Sequence, residues 1–133
     1  MDDHASTATE VEFYSSDTMG NFPFSEAVRV GDMLFMSGQI GTQPDGSGLI
    51  EGGIGPETQQ IMENIQATVE KYGSDMDHVV KCLVMLADIS EWPAMNDVYK
   101  DFFPNNKPAR SAFAGSGLAL DARVEIECIA VIP

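Results

Sequence analysis

Arg110, in the stretch "KPARSAFAG" at residues 107–115, stands among small and apolar neighbours, and fifteen residues later comes Glu125, the first carboxylate of the strand-like run "VEIECIAV". The chain carries only seven Lys and Arg against 21 Asp and Glu, so a basic residue in an apolar setting needs a reason. On spacing alone, an exposed arginine on an edge strand accounts for it. The alternative is a guanidinium kept for an anionic ligand, with a carboxylate nearby. A guanidinium matches a carboxylate bidentately and stays charged at any working pH. Glu125 and Glu127 are two residues apart and would share one face of a strand. A carboxylate there works as an acid or base only if burial raises its pKa toward neutrality.

Other chemistry has little to draw on. Of the two histidines, His4 lies in the N-terminal lead, and His78 stands beside Asp75 and Asp77 in what reads as a solvated turn. They cannot supply a Ser-His-Asp triad or a His-ligated metal, so no metal site is expected. No nucleophile elbow, phosphate-binding loop or dinucleotide fingerprint is present, and Ser116 in "GSG" reads as a turn residue. Glu63 and Glu70 fall on what should be the exposed face of a helix. Cys82 and Cys128 sit in apolar runs without metal-ligand spacing and are expected to be reduced core thiols, as in a cytoplasmic protein.

Composition bounds the rest. The 133 residues, 44% hydrophobic and 21% charged, fit a single domain of ordinary globular type spanning residues 1–133. No apolar run approaches the ~20 residues that cross a bilayer, so no membrane partner is expected. The acidic start "MDDHASTATEVEF" has neither the basic nor the apolar region of a signal peptide and is not expected to be one. A net charge of −14 repels phosphate backbones, and no basic stripe interleaves with aromatics. Nucleic acid is therefore not an expected partner.

The elements that must position Arg110 and Glu125 follow from periodicity. Residues 1–20 read as a polar lead with one possible strand at Val11–Tyr14. Strands are expected at Ala27–Val30 and 33–37, joined by a two-residue Gly31-Asp32 turn, and "TQPDGSG" marks a loop. Pro56 suits the first turn of a helix whose Ile61, Ile65, Val69 and Tyr72 line one face, with Gly73 as its stop. A second helix, with Ser90 as N-cap, carries Met95, Val98, Tyr99 and Phe102 on one face and ends at Pro104. Between them Val79–Leu86 reads as a central strand; Ala109–Ala114 and 123–131 follow. The result is an α+β fold, with the helices on one face of a mixed sheet. Phe35, Met85, Ile129 and Val131 fall on the opposite face, and an uncovered apolar sheet face predicts an oligomer.

Taken together, "AVRVGDMLFMSGQIG", "VVKCLVMLADISEWPAMNDVYKDFF", "KPARSAF" and "VEIECIAV" resemble the Rid (YjgF) family of enamine/imine deaminases, from Phe22 to the C-terminus. The combination of "PARS", "EIE-IA" fifteen residues on and "SGQI" upstream is specific where each piece alone is weak. The resemblance implies a chorismate-mutase-like α+β fold with a six-stranded sheet, assembled as a homotrimer with a cleft at each subunit interface. It also implies hydrolysis of 2-enamino or 2-imino acids to 2-keto acids and ammonia, with no metal or organic cofactor. Arg110 corresponds to the family's carboxylate-binding arginine and Glu125 to its active-site glutamate. Asn96 matches the cleft asparagine, and Ser37, Gly38 and Gln39 match the strand-end backbone.

Two positions depart from the family pattern. "PFSEAV" stands where deaminating members carry "PYSQAV", so Phe24 keeps the ring and loses the hydroxyl. Ala112 replaces the cysteine of "PARSC". Both make the expected substrate-binding cleft more apolar. Three rivals follow: a trimeric protein that binds a small carboxylate without turnover, a catabolic deaminase of the 2-aminomuconate type, and the endoribonuclease label carried by some relatives. The charge of −14 argues against the last.

Overall fold

In the computed structural model, which describes residues 9–15 and 21–133, the alternating apolar runs become six strands. They are β1 (Val11–Tyr14), β2 (Ala27–Val30), β3 (Met33–Met36), β4 (Val79–Leu86), β5 (Ala109–Ala114) and β6 (Val124–Val131). Helix α1 (Ile54–Lys71) joins β3 to β4, and α2 (Trp92–Tyr99) joins β4 to β5. The strands form one mixed sheet in the order β1-β2-β3-β6-β4-β5, in which only β4 and β5 run parallel. This is the expected α+β class, with β3 and β6 each one residue shorter than expected. His4 and the rest of the lead at 1–8 and 16–20 lie outside the described residues.

Local chemistry explains the joints. Val30 pairs with Met33, leaving Gly31-Asp32 as the two-residue hairpin loop, and Gly31 takes the left-handed conformation (φ 59°) that a side chain would disfavour. Parallel strands cannot be joined by a tight turn, so the β4–β5 connection needs the length that α2 supplies. Helix α1 starts two residues before Pro56, which therefore falls in the first turn, where a missing N–H costs nothing. At the other end Tyr72 stacks on Tyr14 of β1 (centroids 4.2 Å apart), and Gly73 turns the chain away at φ 92°.

The start of the second helical segment corrects the expected Ser90 cap. A 3-10 turn at Ile89–Glu91 precedes α2, and the residue capping it is Asp88, whose carboxylate accepts from the Ser90 N–H at 2.9 Å and from the Ser90 hydroxyl at 2.8 Å. The serine hydroxyl is thus spent as a donor. A carboxylate, acceptor-only and charged, is the better partner for free backbone N–H groups.

Ile61, Ile65 and Val69 of α1 and Met95 of α2 pack with Leu34 and Met36 of β3, Val84 and Leu86 of β4, and Val124 and Ile126 of β6. Both helices therefore cover one face of the sheet. On the other, register places Phe35 beside Ile129 and Met85 beside Glu125. Phe35 is 42% exposed and Phe113 48% exposed, so this face is uncovered in the single chain.

The cysteines are a second correction. Cys82 and Cys128 sit directly opposite one another on β4 and β6, both buried, and their sulfurs form a disulfide rather than two free thiols. Antiparallel pairing brings side chains 46 residues apart into contact, which spacing along the sequence could not reveal. The pair no longer supports a reducing compartment.

Candidate active site

Arg110 lies on the edge strand β5, and the parity of the sheet decides where it points. It pairs with Cys82, and Ala112 pairs with Val84, so both lie on the helix-covered face. There α2 presents four residues to the guanidinium. Its Nη1 donates to Asn96 Oδ1 at 2.7 Å, and its Cζ lies 4.9 Å from the Tyr99 ring centroid and 5.5 Å from that of Trp92. Met95 Sδ is 4.0 Å from the same nitrogen. One hydrogen bond and two π faces hold the group in place while leaving most of its five N–H donors for a ligand.

A cavity of about 350 Å³ opens between α2 and the approach to β5. Asn96, Tyr99 and Phe103 form one side; Lys100, Lys107 and Arg110 supply its charge, and no carboxylate lines it. The Tyr99 hydroxyl is buried and has no hydrogen-bond partner. Burial pushes its pKa up against the opposing pull of Arg110.

Glu125 is elsewhere. It pairs with Met85, three residues beyond the Arg110 row and hence on the opposite, uncovered face. The sequence brings Arg110 and Glu125 to the same region of the sheet, but a single chain does not bring them together. Glu125 is half-buried against the backbone of Gly38, where any Cβ would collide with its carboxylate. Burial pushes the Glu125 carboxyl above the usual carboxylate range, and the charge of Glu127 on the same face adds to the effect.

Gly38 and Gln39, just after β3, lie beside the strand that carries Glu125. Gln39 exchanges two backbone hydrogen bonds with Ile126, at 2.8 and 3.0 Å, which pins the segment after β3 alongside Glu125. The Ser37 hydroxyl donates to the Ser25 carbonyl at 2.6 Å, tying in the "PFSEAV" segment. Phe24 is 51% exposed and stacks on Phe22. Glu26 accepts from the Tyr72 hydroxyl at 2.6 Å and the Lys71 ammonium at 3.1 Å. One chain thus divides the candidate residues: Arg110, Asn96 and Ala112 lie at the helix-covered face, Glu125 lies on the open face beside Gly38 and Gln39, and Ser37 and Phe24 belong to segments tied to each other through Ser25.

His78 Nδ1 meets Asp75 at 2.7 Å in a part-buried turn, and Glu63 and Glu70 are exposed on α1. Among the described residues, no three His, Cys, Asp or Glu side chains gather as metal ligands would. Trp92, Tyr99, Lys100 and Lys107 join the site without having been expected there. Trp92, Met95, Asn96 and Tyr99 recur at helical spacing, which marks one face of α2, but that pattern equally describes core.

A mixed six-stranded sheet with both helices on one face defines the fold class. The signature of the endoribonuclease L-PSP family matches residues 17–132. The chain belongs to that family, also called Rid or YjgF. It is 43% identical over 109 residues to the 2-iminobutanoate/2-iminopropanoate deaminase of Capra hircus, covering 82% of this chain and 80% of that one. With the human protein of the same name, identity is 38% over the same coverage. Among solved structures, the Rid-family protein YyfA of Yersinia pestis superposes with a TM-score of 0.87 at 32% identity, covering 92% of this chain and all of the other (100%). RidA from an Antarctic Psychrobacter superposes at 0.81 with 32% identity, covering 95% and 99%.

Proposed function

We propose that this protein hydrolyses small 2-imino and 2-enamino acids to 2-keto acids and ammonia, at sites shared between the subunits of a homotrimer. The observation that carries the reading is the placement of Arg110 and Glu125 on opposite sheet faces: a guanidinium with free N–H donors on one and a carboxyl of raised pKa on the other. A cleft between subunits unites them, with Arg110 from one chain and Glu125 of the partner subunit. The uncovered face with Phe35 and Phe113 supports burial against another copy. The names of the mammalian relatives support the reaction class.

The chemistry follows from charge and position. The substrate carboxylate docks on Arg110, whose rigid setting orients the C=N bond. A water held by Glu125 of the partner subunit and by strand-end carbonyls adds its oxygen to the imine carbon. One proton of that water passes to the glutamate and is returned to the substrate nitrogen, and the hydroxyl proton of the adduct follows it to nitrogen as the C–N bond breaks. Collapse of the tetrahedral species breaks the C–N bond, releases ammonia and forms the keto C=O. The raised pKa of Glu125 suits both directions of that transfer. No metal or organic cofactor belongs to this scheme.

A non-catalytic binding role is the second reading, favoured by Phe24 and Ala112, which provide no polar group to the cleft. Nucleic acid is excluded from the proposal on the charge of −14. Among the described residues no helix is long and apolar enough to cross a membrane. A cytoplasmic location is part of the reading, although the Cys82–Cys128 disulfide counts against it, and cell fractionation decides. For the reaction itself, 2-iminobutanoate is generated in situ by an amino-acid oxidase with semicarbazide as trap. Loss of semicarbazone in proportion to added protein supports turnover; unchanged trapping with several imino acids leaves the binding role.

A further inference from the structure

The cavity beside Arg110 is more cationic than one carboxylate requires. Three of the seven basic residues line it, in a chain whose net charge is −14. Elsewhere Arg29, Lys71 and Arg123 are matched to carboxylates in ion pairs, and only the exposed Lys81, among the described residues, makes none. Among the described residues Lys107 and Arg110 make no such pair, and Lys100 reaches only Asp97 at 3.8 Å. On the same wall Tyr99, only 8% exposed, keeps a hydroxyl with no partner, and such orphaned buried groups are uncommon in folded proteins. The volume of about 350 Å³ lies within the range of small-molecule sites.

We propose that this cavity takes a second anionic group of the ligand, so that the preferred substrates are dicarboxylic 2-imino acids, with Lys107 as the principal partner of the distal carboxylate. The inference rests on the deaminase reading for the identity of the substrate, but the cavity argument concerns binding alone. Arg110 takes the carboxylate next to the C=N carbon. Lys107 lies three residues earlier, roughly 10 Å along extended chain, and its flexible stem lets the ammonium reach back toward Arg110. Phe103 and Pro108 give the methylenes between two carboxylates an apolar wall. A ligand with a short alkyl side chain would leave Lys107 in water and the cavity unfilled.

Stable 2-keto acids serve as probes. Calorimetric titration of the intact protein should show 2-oxoglutarate binding about ten-fold more tightly than 2-oxobutanoate, the worth of one charge-assisted hydrogen bond. That ratio should fall toward one in Lys107→Met and persist in Lys81→Met, which removes an equal charge outside the cavity. Equal affinities in the wild type, no binding of either acid, or a preference that survives Lys107→Met would overturn the proposal. Inorganic phosphate competing as strongly as 2-oxoglutarate would overturn the assignment to a dicarboxylate. Hydrolysis of 2-iminobutanoate alongside equal affinities would remove this inference and leave the deaminase reading standing. A ten-fold preference without hydrolysis of any imine would do the reverse.

Discussion

Arg110 rests on two aromatic rings and one amide oxygen, so its geometry is set before any ligand arrives. Arg110→Ala should therefore weaken binding of 2-keto acids by about 2–5 kcal/mol, the cost of losing one partner of a desolvated charge pair, while the melting temperature barely moves. Arg110→Lys should recover only part of this, because an ammonium cannot present two parallel N–H groups; titration calorimetry on the three proteins measures both. Glu125→Gln keeps the shape that fills the space beside Gly38 but cannot exchange a proton. It should lower kcat by roughly 10²-fold or more with ligand affinity little changed. Equal kcat in steady-state assays would reduce Glu125 to a structural partner. These two residues were picked out by the resemblance of "PARS", "EIE-IA" and "SGQI" in combination to one family, since spacing alone favoured an exposed edge-strand arginine. Their placement on opposite faces was not legible, since it depends on which residue of β4 each one pairs with. Trp92 and Tyr99 were hidden for a related reason: an aromatic on an amphipathic helix reads as core until an edge strand is seen to pass beneath it.

The joint between α1 and β6 depends on a single buried carboxylate. Glu57, 3% exposed in the first turn of α1, accepts the Arg123 N–H at 2.8 Å, just ahead of the strand that carries Glu125. Burial pushes its pKa up, partly offset by the hydrogen bond from Arg123. A carboxylate whose folded pKa is raised contributes stability that is fully present below its unfolded value and lost as pH rises through the folded one. Glu57→Gln, which keeps an acceptor and removes the charge, should flatten the loss of stability above the ordinary carboxylate range. Glu57→Ala should cost about 1–3 kcal/mol by orphaning the Arg123 N–H. Denaturant melts across pH check both variants. At this scale most of the fold was readable: β2, β4 and β5 fall where alternation put them, and Gly31 and Gly73 turn the chain where glycine alone is comfortable. The failures share a cause. Asp88 caps in place of Ser90, and Cys82 meets Cys128, through contacts that local pattern does not encode.

The whole molecule combines an acidic surface with a sheet face that one chain leaves bare. Net charge of −14 makes the folded chain repel itself and its copies, and salt shortens the reach of that repulsion from about 10 Å at 0.1 M to about 3 Å at 1 M. The melting temperature, followed by circular dichroism, should therefore rise with KCl over that range; a flat or falling trend would show that self-repulsion is unimportant. An apolar face predicts association but not its symmetry, which is why the sequence patterns alone stopped at an oligomer and the homotrimer came from the family resemblance. The central claim is that each site takes Arg110 from one chain and Glu125 from the next. It is tested most directly by co-refolding Arg110→Ala with Glu125→Gln and assaying imine hydrolysis. Each variant alone should be nearly inactive. In randomly mixed closed trimers about one interface in four unites an intact arginine with an intact glutamate, so the mixture should recover about a quarter of wild-type activity. A mixture as inactive as its parents, with wild-type protein active under the same conditions, would contradict the shared site.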